Sequence, residues 1–395
     1  WFEPITNTVD MLKLKASYGK VGNDDIGGQR RWVYESSIVG GGNWQYGQSA
    51  NQGGDGIRIG EVENLNASWE EALKLNVGIE FNKVKVQADY FREERTGIFL
   101  QRAGLPAIVG ISTIPYVNIG ETLNQGFDSN IEYSQKIGNV YVTARGNFTY
   151  NRNKLKNNDE PDWEYKYQNR IGKPFGSGGS MQPFGLVALG LFQSQEEIDN
   201  SPVQSFGEYR VGDIKYQDIN GDGVIDRADF IRTGYPLVPE IQYGINLSLS
   251  YKGFDVGVLF QGSTHVSFDK NWEAMWAFSN GDNVYDKHWS YWTPEMGDAN
   301  AKYTQMYGKY QNNEAGADYT LSDGSYIRLK NLDIGYTLPK KITEKAFIKT
   351  IRIYFSALNL ATWAKEPYLD PDNRDNRAAN MPPMKAYNFG LNINF

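Results

Sequence analysis

Ten stretches of this chain alternate apolar and polar residues with a period of two, and no other feature limits the fold as strongly. In "LKLKASY", Leu12, Leu14, Ala16 and Tyr18 share one face, and Lys13, Lys15 and Ser17 the other. "LKLNVGIEF" sets Leu73, Leu75, Val77, Ile79 and Phe81 against Lys74, Asn76 and Glu80. "VKVQADY" follows at once across Asn82-Lys83, the spacing of a tight hairpin. The same pattern predicts strands at "FDSNIEY" (127–133), "VYVTARGNFTY" (140–150), "IQYGINLSLSY" (241–251), "FDVGVLF" (254–260), "YIRLKNLDIGYTL" (326–338), "IRIYFSA" (351–357) and "YNFGLNINF" (387–395). Within 326–338 the parity slips, because Ile327 and Leu329 are followed by Leu332, Ile334 and Tyr336. One extra residue near Lys330-Asn331 is the sequence signature of a β-bulge.

The links between these strands alternate without exception. They are long at 19–66, 92–120, 152–239, 264–322 and 361–383, and short at 82–83, 134–139, 252–253 and 339–349. An up-and-down antiparallel sheet with tight turns at one end and large loops at the other produces that order, and outer-membrane barrels have this asymmetry. The polar faces carry Lys, Arg, Asn, Gln and Thr, as a water-filled lumen requires, while several apolar faces begin or end in Tyr or Phe, as an aromatic girdle does. A soluble β-sandwich or propeller also alternates and is the competing architecture. About ten strands are few for so much loop, so the chain reads as part of a larger closed sheet, since lipid-exposed strand edges are not viable in a bilayer. The opening "WFEPITNTVD" has no initiator Met and no apolar leader, which also reads as a fragment. No run of about 18 apolar residues occurs, so no transmembrane helix is expected; strands give a far weaker signal.

Composition removes several function classes. The 395 residues contain no cysteine, so disulfides, thiolate zinc sites and a cysteine nucleophile are unavailable. A net charge of −7 argues against a nucleic-acid surface, which needs a basic stripe. Tyr (26), Phe (19) and Trp (10) are frequent and Gly (42) is high, a mixture suited to β-structure with wet loops.

One stretch points to a metal. In "DINGDGVIDRAD" (218–229), Asp218, Asn220 and Asp222 place oxygens at every second position, with Asp226 and Asp229 beyond, and Gly223 holds the sixth position, where an EF-hand-type calcium loop turns sharply. Val224 would give its backbone carbonyl, and Asp229 replaces the usual Glu at position twelve. The expectation is a structural calcium ion (Ca2+) that pins 152–239, the longest link in the chain; the alternative is a solvated Asp/Gly turn without metal. Candidate ligand-contacting or interface aromatics lie in the loops: Trp44, Tyr46, Trp272, Trp276, Trp289 and Trp292. His265 and His288 have no carboxylate or histidine neighbours at metal spacing in the sequence. Asp370, Asp372 and Asp375 in "LDPDNRDN" are the one carboxylate set that a glycosidase reading can use, though such runs are ordinarily turns. "GKPFGSGGS" lacks the ending of a phosphate loop and reads as a flexible link.

Four ordered motifs, "VGDIKYQDINGDGVIDRADF", "GSYIRLKNLDIGYTLPKK", "RIYFSALNLATWAKEPYLDPD" and "MKAYNFGLNINF", resemble the C-terminal half of SusC/RagA-type TonB-dependent outer-membrane transporters of Bacteroidota. "NQGFDSNIEY" and "FGLVALGLFQSQEEID" fit the same family. The resemblance implies an all-β fold, with residues 1–395 forming the C-terminal portion, about ten strands, of a 22-stranded antiparallel transmembrane β-barrel with long extracellular loops. It implies a SusD-like surface lipoprotein as lid, energy from TonB-ExbB-ExbD through a plug and TonB box that these residues do not contain, contact with outer-membrane lipid, and a glycan or oligopeptide substrate. No catalysis is expected. By the same resemblance the last strand, with Tyr387, Phe389, Leu391, Ile393 and Phe395 on one face, is the signal read by the barrel-assembly machinery. A soluble β-rich carbohydrate-binding module or a glycosidase-like enzyme is the alternative.

Overall fold

The computed structural model describes residues 11–25, 32–49, 52–82, 84–105, 108, 113–175, 182–270, 275–278, 284, 288, 290–295, 301–306, 311–366, 370–372, 381 and 383–395. Ten strands form one antiparallel sheet and pair strictly in chain order. They are β1 (Met11–Asn23), β2 (Glu70–Asn82), β3 (Lys85–Gln101), β4 (Tyr116–Ile137), β5 (Val140–Asn157), β6 (Ile241–Tyr251), β7 (Phe254–Thr264), β8 (Tyr326–Thr337), β9 (Thr350–Ala364) and β10 (Ala386–Asn394). Each predicted strand is present, and the order is that of a meander.

Local chemistry explains the turns and the register. Lys252 and Gly253 take φ of 46° and 91°, the two positive values that a two-residue type I′ hairpin needs, and they bring Tyr251 opposite Phe254. The expected bulge is present: the β8 register shifts between Leu329 and Asn331 against β9, opposite a shift between Leu259 and Phe260 of β7. Because side chains alternate, register decides which face is apolar. Leu247 faces Ala144 on one side and Val258 on the other, and Leu249 faces Val142 and Val256. One residue along, Asn246 sits between Arg145 and Leu259, and Ser248 between Thr143 and Gly257. The apolar side stays uncovered, with Ile245, Leu247, Leu249, Val256 and Ile334 all exposed. In water such a surface invites aggregation; in a bilayer it is the lipid contact.

The structure departs from the expectation in strand length. β3, β4 and β5 run to 17, 22 and 18 residues, against the roughly 9–11 that cross a bilayer. Their upper parts therefore rise above the membrane, and from Arg92 to Arg95 of β3 both faces are polar. Arg92 and Lys156 pair with Glu94 on one face, while Lys74 and Arg95 pair with Glu93 on the other. The alternation that marks a strand in sequence disappears once neither face meets lipid. The link expected at 152–239 accordingly begins after Asn157, and the link at 19–66 contains a further hairpin of Ile38–Tyr46 and Gln52–Ile59. Among the described residues β1 pairs only with β2 and β10 only with β9, so the sheet is open at both edges.

The face assignment predicts an asymmetric response to charge. Leu247→Arg, near the middle of β6 on the apolar face, should destabilise the full-length protein in lipid by about 2–4 kcal/mol, while Asn246→Arg should cost far less, as measured by denaturant unfolding in bilayers.

Candidate functional site

At the long-loop end, two links fold into one body. Residues 158–240 and 265–325 share a core of Leu186, Leu191, Ile214, Tyr216, Trp276 and Trp292, together with Ile225, Met275 and Ala317. Backbone bonds lace the two segments: Leu186 N–H donates to Gly316 O at 3.0 Å, Asp318 N–H to Leu186 O at 3.0 Å, and Gln305 N–H to Gly212 O at 3.1 Å. Side chains add to these. Asn313 Oδ1 accepts from Ile214 N–H at 3.0 Å, and Tyr216 Oη–H donates to Asn312 O at 2.8 Å. Burial pushes the Tyr216 hydroxyl well above its ordinary pKa, so it stays a donor. Short paired segments brace the body, including Ala188–Leu191 with Ile214–Tyr216 and Ser267–Asp269 with Leu321–Asp323.

The 218–229 loop lies on this body with its turns already made. Gly221 and Gly223 have φ of 76° and 86°, values open to glycine at little cost. Asp218 accepts from Gly221 N–H at 2.6 Å and from Gly223 N–H at 2.9 Å, and Asn220 Oδ1 accepts from Asp222 N–H at 3.0 Å. Asp222 accepts from Val224 N–H at 2.8 Å, and Asp226 from Ala228 N–H at 2.6 Å. Asp229 is fully buried, at 0% exposure, and takes three backbone N–H groups, from Ile219, Asn220 and Asp226. A clamp from 165–168 closes the far side: Tyr167 Oη–H donates to Ala228 O at 2.6 Å and Gln168 Nε2–H to Arg227 O at 2.8 Å. Burial, then the charges of Asp229, Asp222 and Asp218, push the Tyr167 hydroxyl up to about 12, which registers the negative field of the loop. The donor types, their spacing and the glycine turns fit a hard dication. Among the described residues, however, no three acidic or histidine side chains converge on one point, because the carboxylates are turned to the loop's own amides.

A second constellation ties the last long link to the sheet. Arg328, on the polar face of β8, is 1% exposed. Its guanidinium donates to both oxygens of Asp370 at 2.8 and 2.7 Å, to Asp372 at 2.7 Å and to Thr362 at 2.9 Å. Tyr326 Oη–H adds a bond to Asp372 at 2.5 Å. The carboxylates that a glycosidase reading needs are thus committed to one arginine; Asp375 lies outside the described residues. Sequence reading missed Arg328, since only its place on a polar face was visible and its carboxylate partners lie more than forty residues on.

The aromatic candidates separate. Trp276 and Trp292, at 3% and 4% exposure, are inside the loop core, and Trp292 Nε1–H donates to Gln193 Oε1 at 3.2 Å. Tyr46 is exposed on the hairpin that also carries Trp44, while Trp272 and Trp289 lie outside the described residues. His288 is buried with Nε2 3.2 Å from Met275 O. His265 has the carboxylate neighbour that the sequence did not reveal: Nδ1 is 3.4 Å from Glu240, and the ring stacks on Tyr235 at 4.6 Å. Tyr387, Phe389, Leu391 and Ile393 stand exposed on the apolar face of β10, and Phe395 follows, also exposed. On the polar face, a trough of about 490 Å³ passes Glu80, Gln87, Asn130, Glu132, Arg145 and Asn246. Its ion pairs, Lys15–Glu80 at 3.0 Å and Lys85–Glu132–Arg145 at 3.1 Å each, are half open to solvent. Such pairs add little stability and mark a wetted wall.

Comparison with known proteins agrees with this geometry. The model of the TonB dependent receptor-like β-barrel family matches residues 6–360, and the chain belongs to that family of outer-membrane proteins. TonB-dependent receptor P3 of Formosa agariphila is 27% identical over 99% of this chain, and TonB-dependent receptor P26 of the same organism is 26% identical over 98%. The chain spans 40% of the length of either relative. Among solved structures, the RagAB peptide transporter superposes with a TM-score of 0.66 at 20% identity, covering 98% of this chain and 42% of that one; the closed-closed state of the same importer gives 0.65 at 21%. At that identity the shared property is the fold.

Two substitutions separate the loop body from the sheet. Trp292→Ala should cost the body about 3–5 kcal/mol and open it to protease while the barrel keeps its heat-modifiable gel migration. Arg328→Met leaves Asp370 and Asp372 without their cation; a loss of about 3–5 kcal/mol and new cleavage between 365 and 385 are expected by limited proteolysis.

Proposed function

We propose that this chain is the C-terminal barrel portion of a SusC-like importer that moves oligopeptides or glycans across the outer membrane. The observation that carries the reading is the ten-strand sheet itself: one face is apolar and uncovered, the other is polar and wetted, and a folded body stands over the long-loop end. Strands outside these residues would close the sheet, since its open edges need partners in a bilayer. A SusD-like lipoprotein would cover the loop body as a lid, and a plug within the closed barrel would take energy from TonB-ExbB-ExbD. RagAB, whose fold this chain shares, is a peptide transporter, which supports an oligopeptide as cargo. The uncovered apolar face disfavours a soluble carbohydrate-binding module, and the commitment of Asp370 and Asp372 to Arg328 disfavours a glycosidase.

Calcium is the second part of this reading. Asp218, Asn220, Asp222 and Asp226, with the Val224 carbonyl, would hold the ion, and Asp229 would close the loop behind it. The ion would offset four carboxylates in twelve residues and keep the loop body in one shape for the lid or the cargo. It has no chemical step to perform.

Two experiments test these assignments. Cells lacking the full-length protein should fail to take up labelled oligopeptides or oligosaccharides that the parent strain imports in a TonB-dependent way; unchanged uptake of every class would refute the importer. Chelation, or Asp218→Ala with Asp222→Ala, should remove bound calcium by elemental analysis and speed proteolysis within 158–240. Unchanged metal content and unchanged cleavage would refute the calcium assignment.

A further inference from the structure

This inference rests on the barrel's place in the outer membrane, not on its cargo, and concerns the short-turn end. Links 83–84, 138–139 and 252–253 have two residues each, whereas 338–349 has twelve. A hairpin needs no such length. The added residues are folded: Lys340–Thr343 is one helical turn, Glu344–Ala346 a 3-10 turn, and Phe347 follows in the left-handed region with φ 57° and ψ 28°. Backbone bonds fix this shape. Ile342 N–H donates to Pro339 O at 2.9 Å, Ile348 N–H to Thr343 O at 3.1 Å and Lys349 N–H to Asn394 O at 2.8 Å.

The link presents two apolar tips among ammonium groups. Ile342 is 57% exposed and Phe347 94%. Left-handed backbone suits glycine and is uncommon for an aromatic residue, so a phenylalanine there points to a use for its ring. Lys340, Lys341, Lys345 and Lys349 are all exposed, and Glu344 is the one carboxylate in the link. Among the described residues none of these lysines pairs with a carboxylate. On the adjoining strands Arg352 is paired with Asp255 and Asp333, on the polar face. Neighbouring aromatics set the depth of the link. Phe254 and Tyr336 pack on the apolar face with ring centroids 4.3 Å apart, and two residues beyond Tyr336 the Leu338 N–H donates to Ile351 O at 2.9 Å. Leu338 and Ile351 keep the parity of that apolar face. Aromatic residues at strand ends mark the boundary between acyl chains and headgroups, so the link starts at headgroup depth.

We propose that 339–349 docks on the periplasmic leaflet of the outer membrane: Phe347 and Ile342 enter the headgroup region, and the lysines meet the phosphates of anionic glycerophospholipids. Short turns of an outer-membrane barrel face the periplasm, which places the link at that leaflet. Apolar tips flanked by lysines are the composition of an interfacial segment, and lysine stems lie along apolar surface while their ammonium groups reach the phosphates. A protein partner would need far more, since a stable interface buries roughly 800 Å² on each side and the link offers two isolated apolar side chains. The docking holds the β8–β9 side of the barrel at one depth and gives it a preference for anionic lipid. That preference weakens as salt screens the lysines.

The test places a fluorophore on Phe347→Cys of the full-length protein, with any cysteine elsewhere replaced by serine, in vesicles of phosphatidylcholine and phosphatidylglycerol. A parallel label on Val203→Cys, exposed on the loop body, is the water reference. Nitroxide carried on lipid headgroups should quench the label at 347 more strongly than the one at 203, and iodide on both sides of the membrane should do the reverse. Iodide quenching at 347 equal to that at 203 would overturn the docking. Lipids retained by the unlabelled protein in detergent are then counted by native mass spectrometry. Lys340→Gln with Lys341→Gln should lower the preference for phosphatidylglycerol over phosphatidylcholine, by about fivefold for each lysine at the surface, while Lys340→Arg with Lys341→Arg should keep it. An unchanged preference in the glutamine pair, at unchanged heat-modifiable migration, would overturn the anionic-lipid assignment. Either failure leaves the importer standing, because uptake of labelled cargo tests that reading separately.

Discussion

Every backbone N–H and C=O that enters a hydrocarbon layer must find a partner within the protein, and the architecture follows from that demand. A meander answers it locally, because each of the ten strands is bonded to its neighbours in chain order, with no crossover to arrange. Once pairing is fixed, the period of two decides the environment of every side chain. Leu247 and Leu249 meet apolar partners on both sides, and Asn246 and Ser248 lie on the opposite, polar face. A slip of one residue would put asparagine and serine in lipid, so the bulge at Leu329–Asn331 and the Lys252-Gly253 turn matter as register pins.

Above the membrane the same chain solves a different problem. Water satisfies loop backbones there, so long links need not fold, yet 158–240 and 265–325 share a tryptophan-containing core and a lattice of backbone bonds. The third link is held by the Arg328 fork on Asp370 and Asp372. The long-loop end is therefore a built surface with defined walls. A preformed surface loses less entropy when a partner arrives, which suits the importer mouth proposed above.

How much of this was legible depended on distance in sequence. β6 is bounded as its alternation predicts, and the β8 bulge was visible because parity is a local property. The upper parts of β3, β4 and β5 were not, since Arg92, Glu93, Glu94 and Arg95 are polar on both faces and leave no period to read. The calcium-type loop was readable from composition, but the clamp by Tyr167 and Gln168, some sixty residues earlier, was not. Trp276 and Trp292 could be singled out as loop aromatics, whereas their burial arises only when two loops meet. The partners of Arg328 belong to the same class of tertiary fact.

The central claim is that one face of the sheet meets lipid and the other meets water. These 395 residues contain no cysteine, which favours a direct measurement: single substitutions Ile245→Cys, Asn246→Cys, Leu247→Cys, Ser248→Cys and Leu249→Cys in the full-length protein, with any cysteine elsewhere replaced by serine, spin-labelled in bilayers. Collision with oxygen, which favours lipid, and with a water-soluble nickel chelate should alternate residue by residue, with 245, 247 and 249 in lipid and 246 and 248 in water. Uniform accessibility along β6, or the inverse phase, would contradict the account.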